Sequence, residues 1–141
     1  MGGLFNRAVF TFTVIVLLTG SAWGGWFSFE PNLILRDGAP VARYLEDLEE
    51  ELAYLSKGDT AQADQMVKDM KVYMIKEGQD MTRVEFKSYQ EDQGEIFIQV
   101  QDESGTKIWA NMKNIACLDQ NGQKKDITKQ DVVKGEFKPL P

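Results

Sequence analysis

The hydrophobic period of the chain changes near Asp80, and this change restricts the fold more than any other feature of the sequence. In residues 41–76, apolar residues recur every three or four positions, which places them on one side of a helix. Beyond Asp80, apolar and polar residues alternate, as they do in a strand with one buried face. Helices followed by antiparallel strands indicate an α+β domain in which the helices cover one face of a sheet.

Two helices are predicted, and they form an antiparallel hairpin over residues 41–78. The first has an apolar seam made of Val41, Leu45, Leu48, Leu52 and Leu55. Gly58 ends this helix, and the second is predicted from about Thr60 to Lys76. Its seam consists of Ala63, Met66, Val67, Met70, Tyr73 and Met74. Because the connection is only four or five residues long, the two helices are expected to be antiparallel neighbours.

Three methionines of the second seam stand four residues apart and would share one helical face: Met66, Met70 and Met74. A row of thioethers in an exported protein is one way to bind Cu(I). Methionine is also an adaptable core residue, and Val67 and Tyr73 lie between these positions. We therefore predict that this face packs in the core.

An antiparallel β-meander of about four strands is predicted over residues 81–138, packed with the hairpin as one domain. The first two strands alternate around Val84 and Phe86 and around Ile96 to Val100. A third is expected over Lys107–Leu118, followed by a type I′ turn at Asn121–Gly122, since both positions tolerate positive φ. Short strands over 126–128 and 132–137 complete the meander.

The first 24 residues have the pattern of a secretory signal peptide. Arg7 supplies the positive charge of a short n-region, residues 8–18 are apolar except for two threonines, and small residues follow. Ala22 and Gly24 have the small side chains that a cleavage site requires, so the mature chain would begin at Gly25. In this interpretation residues 1–24 are removed and residues 25–40 form a linker.

An uncleaved transmembrane anchor over residues 8–29 is the alternative. This stretch holds 22 residues without a charge, which is enough for a helix to cross the hydrocarbon core of a bilayer. Four aromatic residues would then lie at the membrane interface: Trp23, Trp26, Phe27 and Phe29. Both interpretations place the domain outside the cytoplasm, either free in a periplasm or anchored to the inner membrane.

The composition argues against most catalytic chemistry. The chain has no histidine and one cysteine, which excludes a Ser-His-Asp triad, a Cys-His pair, a His-ligated zinc and an internal disulfide. No glycine-rich phosphate motif occurs, so we predict no enzyme activity, no catalytic residue, no cofactor and no metal. A formal net charge of −6 makes nucleic acid a poor partner. Cys117 lies in an apolar run and is predicted to be a small buried residue.

Residues near the middle of the third strand are the candidates for binding a partner. Trp109 alternates with Ile108 and Ala110, so these side chains lie on opposite faces of the strand. If the face of Ile108 and Ala110 contacts the helices, the opposite face is exposed. That face carries the predicted partner-binding residues Trp109, Asn111 and Lys113.

Two functions are consistent with these features. The first is a non-catalytic interaction or assembly subunit of a cell-envelope complex, which binds a larger protein partner and contacts the membrane through its N-terminus. The second is a small periplasmic ligand-binding domain with an apolar pocket between helices and sheet. A pocket lined by Met66, Met70, Phe86 and Ile98 favours the second function, and a filled core with an exposed apolar strip favours the first.

Overall fold

The computed structural model describes residues 28–76 and 82–141, and this part of the chain has a mixed α+β architecture with three helices and an eight-stranded antiparallel sheet. The helices are α1 Leu45–Ser56, α2 Thr60–Lys68 and α3 Lys129–Lys134. The strands are β1 Leu33–Leu35, β2 Pro40–Ala42, β3 Tyr73–Met74, β4 Thr82–Asp92, β5 Glu95–Gln101, β6 Lys107–Asn111, β7 Ile115–Leu118 and β8 Lys124–Asp126. The predicted α+β class is confirmed. The predicted signal peptide and most of the alternative anchor lie outside the described residues.

The strands follow the order β3-β2-β6-β5-β4-β1-β7-β8, with every neighbouring pair antiparallel. The predicted four-strand meander is therefore too simple, because two strands come from residues before the helices. Leu33–Leu35 belong to the predicted linker but form β1, which lies between β4 and β7 and is fully buried. Three consecutive apolar residues suit this position, since a strand inside a covered sheet buries both of its faces.

The sheet curls along β4, whose two halves pair with different strands. Residues 82–84 pair with β1, and residues 85–92 pair with β5. A bulge between Phe86 and Ser88 divides the residues of β4 that pair with β5 into a short first part and a longer second part. Bulges increase the local bend and twist of a strand. The curled sheet therefore has an inner face and an outer face.

The inner face holds the larger core. Alternate residues of the strands point into it, among them Leu33, Leu35, Val84, Ile96, Ile98, Val100, Ala110 and Ile115. Val132 of α3 is fully buried in this cluster, so the C-terminal helix packs on the inner face. Residues 132–137 were predicted to be a strand, which is wrong. Thr128 instead caps α3 reciprocally with Asp131, and Gly135 ends the helix with φ 66°.

The outer face is covered by α1 and α2. Phe97 of β5 is buried there against a cluster that contains Leu48 of α1 and Met66 of α2, with the half-buried Trp109 packed against it. Residues 57–59 connect the two helices, and Asp59 caps α2 by accepting a hydrogen bond from the Gln62 backbone N–H (3.2 Å). The predicted helical pair is thus present, although it begins at Leu45 because Val41 and Ala42 belong to β2.

The second helix is shorter than predicted, because it ends at Lys68. The Met70 N–H donates to the Val67 carbonyl (3.1 Å) and the Lys71 N–H to the Met66 carbonyl (3.0 Å), which is the hydrogen-bond pattern of a Schellman end. Tyr73 and Met74 then form β3. The helical spacing of apolar residues continues in the sequence to Met74. Tyr73 and Met74 nevertheless pair with β2 and do not extend α2.

The long strand predicted over Lys107–Leu118 is divided into β6 and β7. A 3₁₀ turn at Met112–Asn114 separates them, capped by the Asn111 side chain, which accepts from the Lys113 N–H (3.0 Å). Asn121–Gly122 connects β7 to β8 as predicted, but only Gly122 of the two has a positive φ, so the turn is not type I′. No helix within residues 28–76 or 82–141 has the length and apolar character needed to cross a membrane.

Candidate functional site

One edge of the sheet, β3, has backbone hydrogen-bonding groups that have no partner within residues 28–76 and 82–141. Among the described strands, β3 pairs with β2 alone. The Ile75 N–H donates to the Ala39 carbonyl (2.9 Å), and the Gly38 N–H donates to the Ile75 carbonyl (2.7 Å). Backbone groups of successive residues point to opposite sides of a strand, so the N–H and C=O of Met74 point away from β2. The opposite residue is Pro40, which has no N–H to offer.

Large apolar side chains are exposed around this edge. We call them the β3 edge patch: Tyr44, Met70, Tyr73 and Met74, which are 61, 60, 40 and 46% exposed. Val41 pairs with Tyr73. Tyr44 lies two residues after the end of β2, and Met70 lies three residues before the start of β3. In an antiparallel pair these two directions coincide, so Tyr44 and Met70 lie beyond the same end of the pair.

Met70 has a backbone conformation that methionine rarely adopts. Its φ is 63°, at the position of a Schellman end where glycine is usual. The left-handed conformation costs a residue with a Cβ roughly 1–2 kcal/mol. An exposed apolar side chain in a strained conformation contributes nothing evident to folding, and strain of this kind is concentrated at functional sites.

Basic side chains surround the patch although the chain as a whole is acidic. Arg43, Lys68 and Lys71 are exposed, and none of them forms an ion pair with a described residue. Arg43 directly precedes Tyr44, and Lys71 directly follows Met70. The exposed acidic residues Glu46 and Asp69 also lie near these positions, so basic residues outnumber acidic ones there by three to two. The edge therefore combines open backbone groups, apolar side chains and positive charge.

A second surface feature is a cleft between α1 and the β4–β5 turn, which we call the α1 cleft. It encloses about 490 Å³. Its walls are formed by Glu49, Leu52, Ala53, Ser56, Asp92, Gln93, Glu95, Phe97 and Lys113. Three carboxyl groups and one ammonium group lie in a lining that also contains the apolar Leu52, Ala53 and Phe97.

The carboxyl groups of Glu49 and Asp92 meet in this cleft. Their side-chain hydrogen bond, followed by partial burial and the charges of Asp92 and Glu46, raises the pKa of Glu49 to about 7. A hydrogen bond between two carboxyl groups requires a proton on one of them. Near neutral pH this proton joins α1 to the β4–β5 turn.

Two of the three residues predicted to bind a partner converge on the α1 cleft. The Asn111 side-chain amide donates to Glu95 Oε1 (2.7 Å), and Lys113 Nζ lies 3.7 Å from the same oxygen. Asn111 is buried, whereas Lys113 is exposed and lines the cleft. Asn111 and Lys113 therefore position Glu95.

Trp109 does not lie on an exposed outer face. Ile108 and Ala110 point into the inner core instead of toward α1 and α2, so the expected arrangement of the two faces is reversed. Trp109 packs in the outer cluster with Phe97, beneath the helices. Of the aromatic residues predicted at a membrane interface, Phe29 is half-buried, and Trp23, Trp26 and Phe27 lie outside the described residues.

The methionine row is not formed. Met66 is buried in α2, whereas Met70 and Met74 follow the helix and are exposed. Within the described residues, no three acidic, cysteine or histidine side chains are arranged to hold a metal ion. Cys117 is half-buried beside the inner core, and burial raises the pKa of its thiol.

The β3 edge patch was not foreseen, because Met70, Tyr73 and Met74 continue the period of the α2 seam. A comparison of the sequence with protein-family models finds no match. Comparisons with curated proteins and with solved structures find no significant similarity either.

Proposed function

We propose that this protein is a non-catalytic interaction or assembly subunit of a cell-envelope complex, and that it binds its protein partner at the β3 edge patch. The observation that carries this proposal is a set of exposed apolar side chains at a strand edge that has no further partner strand among the described residues. The core beneath it is already filled by two buried clusters. An apolar strip over a filled core is the arrangement that favours binding a partner over enclosing a ligand.

The two edges of the sheet differ in a way that supports this proposal. At the opposite edge, β8 consists of three exposed charged residues, Lys124–Asp126. Charged side chains, lysine above all, are a common protection of a free edge against unwanted pairing. β3 is only two residues long, and both of its residues, Tyr73 and Met74, are uncharged. An exposed apolar edge promotes aggregation of a protein that stays monomeric. In a protein that has a partner, the same edge provides a binding surface.

The cell-envelope location rests on the sequence of residues 1–29. The charged n-region, the apolar stretch and the small residues before Gly25 support export, either with cleavage or with retention as an anchor. We propose that the domain lies outside the cytoplasm in both cases. Intact-mass measurement after membrane fractionation distinguishes them, since a soluble chain beginning at Gly25 has been cleaved and a membrane-bound chain with its original N-terminus has not.

A small periplasmic ligand-binding domain is the second candidate, and the α1 cleft is the observation that favours it. The apolar pocket expected for this function is not formed, because Phe86 and Ile98 belong to the inner cluster, Met66 to the outer cluster, and Met70 is exposed. The lining of the α1 cleft suits a small polar ligand instead.

Affinity purification from the native cells tests the interaction proposal. The tagged wild-type chain is compared with Met74→Arg, which places a large charge in the β3 edge patch. Val133→Arg is the matched control, because Val133 is an equally exposed apolar residue on α3. We expect one protein at a constant ratio to the wild-type chain and to Val133→Arg, and its loss with Met74→Arg. Equal recovery with both variants, or no partner at all, would contradict the proposal.

A further inference from the structure

The geometry of β3 indicates that its partner is an extended strand. Met74 offers one N–H and one C=O on the open side of the sheet, and these groups are satisfied together when another strand pairs beside them. A helix satisfies its own backbone groups and would leave those of Met74 without a partner.

The side chains of the patch lie on both faces of the sheet, which a strand can contact at once. Tyr73 lies opposite Val41, an inner-core residue, and therefore points to the inner side. Met74 points to the other side, as does the neighbouring Val72, which is buried in the outer cluster. A strand beside β3 places successive side chains against Tyr73 on one face and against Met74 on the other.

The charge around the edge selects acidic segments. Arg43, Lys68 and Lys71 lie within two residues of Tyr44 or Met70, outnumber the exposed Glu46 and Asp69 there, and form no ion pair with a described residue. Opposite charges across an interface accelerate association and select partners. A segment that combines acidic and apolar residues fits both the patch and its surroundings.

A second copy of this chain fits less well. Joining β3 of one molecule to β8 of another brings Lys124 and Lys125 toward the basic residues of the patch. Joining β3 to β3 in parallel brings each basic residue toward its own counterpart. Like charges placed together in an interface disfavour the pairing.

From these observations we infer that the β3 edge patch binds an extended segment of another protein, rich in acidic and apolar residues, which joins the sheet as a further strand beside β3. This inference rests on the proposed interaction function and specifies the mode of binding. Met74 contacts one side of the added strand, and Tyr73 contacts the other.

The test uses the full chain in mild detergent and three labelled peptides of seven residues with blocked termini. The first alternates glutamate and valine, the second alternates lysine and valine, and the third is the first with proline at its central positions. Binding is measured by fluorescence anisotropy. We expect the glutamate peptide to bind at least about tenfold more tightly than the lysine peptide and the proline peptide to lose binding, since proline cannot complete a strand pair.

Charge reversal and amide exchange make the test specific. Lys71→Glu is expected to weaken binding of the glutamate peptide about fivefold, because it changes an attraction into a repulsion. For the opposite reason it should strengthen binding of the lysine peptide. Lys125→Glu, on the opposite edge, is the matched control and leaves both affinities unchanged. The glutamate peptide should also slow hydrogen exchange at the Met74 amide and not at the Lys125 amide.

Several outcomes would overturn the inference. These are equal affinity for the glutamate and lysine peptides, unchanged exchange at Met74, and binding only after residues 1–24 are removed, which would assign the edge to the chain's own N-terminus. A dimer of the full chain that Met74→Arg separates would assign the edge to a second copy. If no peptide binds while the wild-type chain still recovers a partner that Met74→Arg loses, strand addition fails and the interaction function stands.

Discussion

Met74 lies directly opposite Pro40 at the edge of the sheet, in a position where the two strands exchange no backbone hydrogen bond. The next residue, Ile75, has the opposite arrangement, because both of its backbone groups bind the chain around Ala39. Met74 and Ile75 therefore differ in what their N–H groups contribute to the fold. This difference can be measured.

Met74→Pro is expected to lower the free energy of unfolding by less than about 1 kcal/mol, since the N–H that it removes has no partner within the described residues. Ile75→Pro removes a hydrogen bond to Ala39 and should cost about 2 kcal/mol or more. Urea unfolding of the two variants provides the comparison. Equal losses would show that Met74 uses its N–H in the fold. Met74→Pro should also abolish binding of the glutamate peptide.

Met70→Gly is expected to stabilise the protein by about 1 kcal/mol or less. Glycine adopts the φ of 63° without strain, although it gains more freedom in the unfolded chain. Met70→Val should destabilise it, because a β-branched side chain is worse in this conformation. Thermal and urea unfolding measure both changes. A less stable Met70→Gly variant would mean that the methionine side chain contributes packing that outweighs its backbone strain.

The carboxyl pair in the α1 cleft should make stability dependent on pH. The pKa of Glu49 is raised from 4.5 to about 7, so the folded protein binds more protons than the unfolded chain between these values. The stabilisation is therefore complete below about pH 4.5 and is lost as the pH rises toward 7. Burial also raises the pKa of Glu51, so this group likewise makes the protein less stable as the pH rises.

Glu49→Gln removes the contribution of Glu49 alone. Urea unfolding at several values between pH 4.5 and pH 7.5 should show a smaller fall in stability for this variant than for the wild type. Glu50→Gln is the matched control. The Glu50 carboxyl neighbours Glu49 in sequence but accepts a hydrogen bond from the Tyr54 hydroxyl (3.1 Å), so this variant should leave the fall in stability unchanged. Identical curves for Glu49→Gln and the wild type would contradict the shared proton between Glu49 and Asp92.

Leu35→Ala is expected to cost about 2–5 kcal/mol, the usual range for a fully buried leucine. Leu35 lies in β1, in the interior of the sheet between β4 and β7. Leu55→Ala is the control, because Leu55 is exposed at the end of α1 and its loss should cost less than about 1 kcal/mol. Chemical unfolding measures both. A small loss for Leu35→Ala would mean that β1 does not hold the inner core.

The sequence patterns that rest on local periodicity predicted the fold best. Alternation in β4 and β5 correctly identifies the inner-facing Val84, Ile96, Ile98 and Val100, because a strand has one residue in two on each face. Leu45 and Leu48 were likewise placed on the buried side of α1. One available signal was missed: Thr128, three residues before Asp131, and the following Gly135 are the start and end signals of a short helix.

The strand order could not be derived from the same patterns. Leu33–Leu35 reads as a short apolar run, and nothing local indicates that it pairs between strands from distant parts of the chain. The β3 edge patch was hidden for a related reason. Tyr73 and Met74 fit the helical period of α2, and only their pairing with Val41 and Pro40 places them in a strand. Long-range pairing thus decided both the interior of the sheet and its β3 edge.

Site-specific photo-crosslinking in the native cells tests the central claim most directly. A photoreactive amino acid replaces Met74 in the β3 edge patch and, in a matched strain, the exposed Val133 of α3. We expect position 74 to yield one discrete adduct with another protein, joined through a segment rich in acidic and apolar residues, and position 133 to yield none. The same adducts from both positions, or no adduct from position 74, would contradict the assignment of β3 as the docking edge.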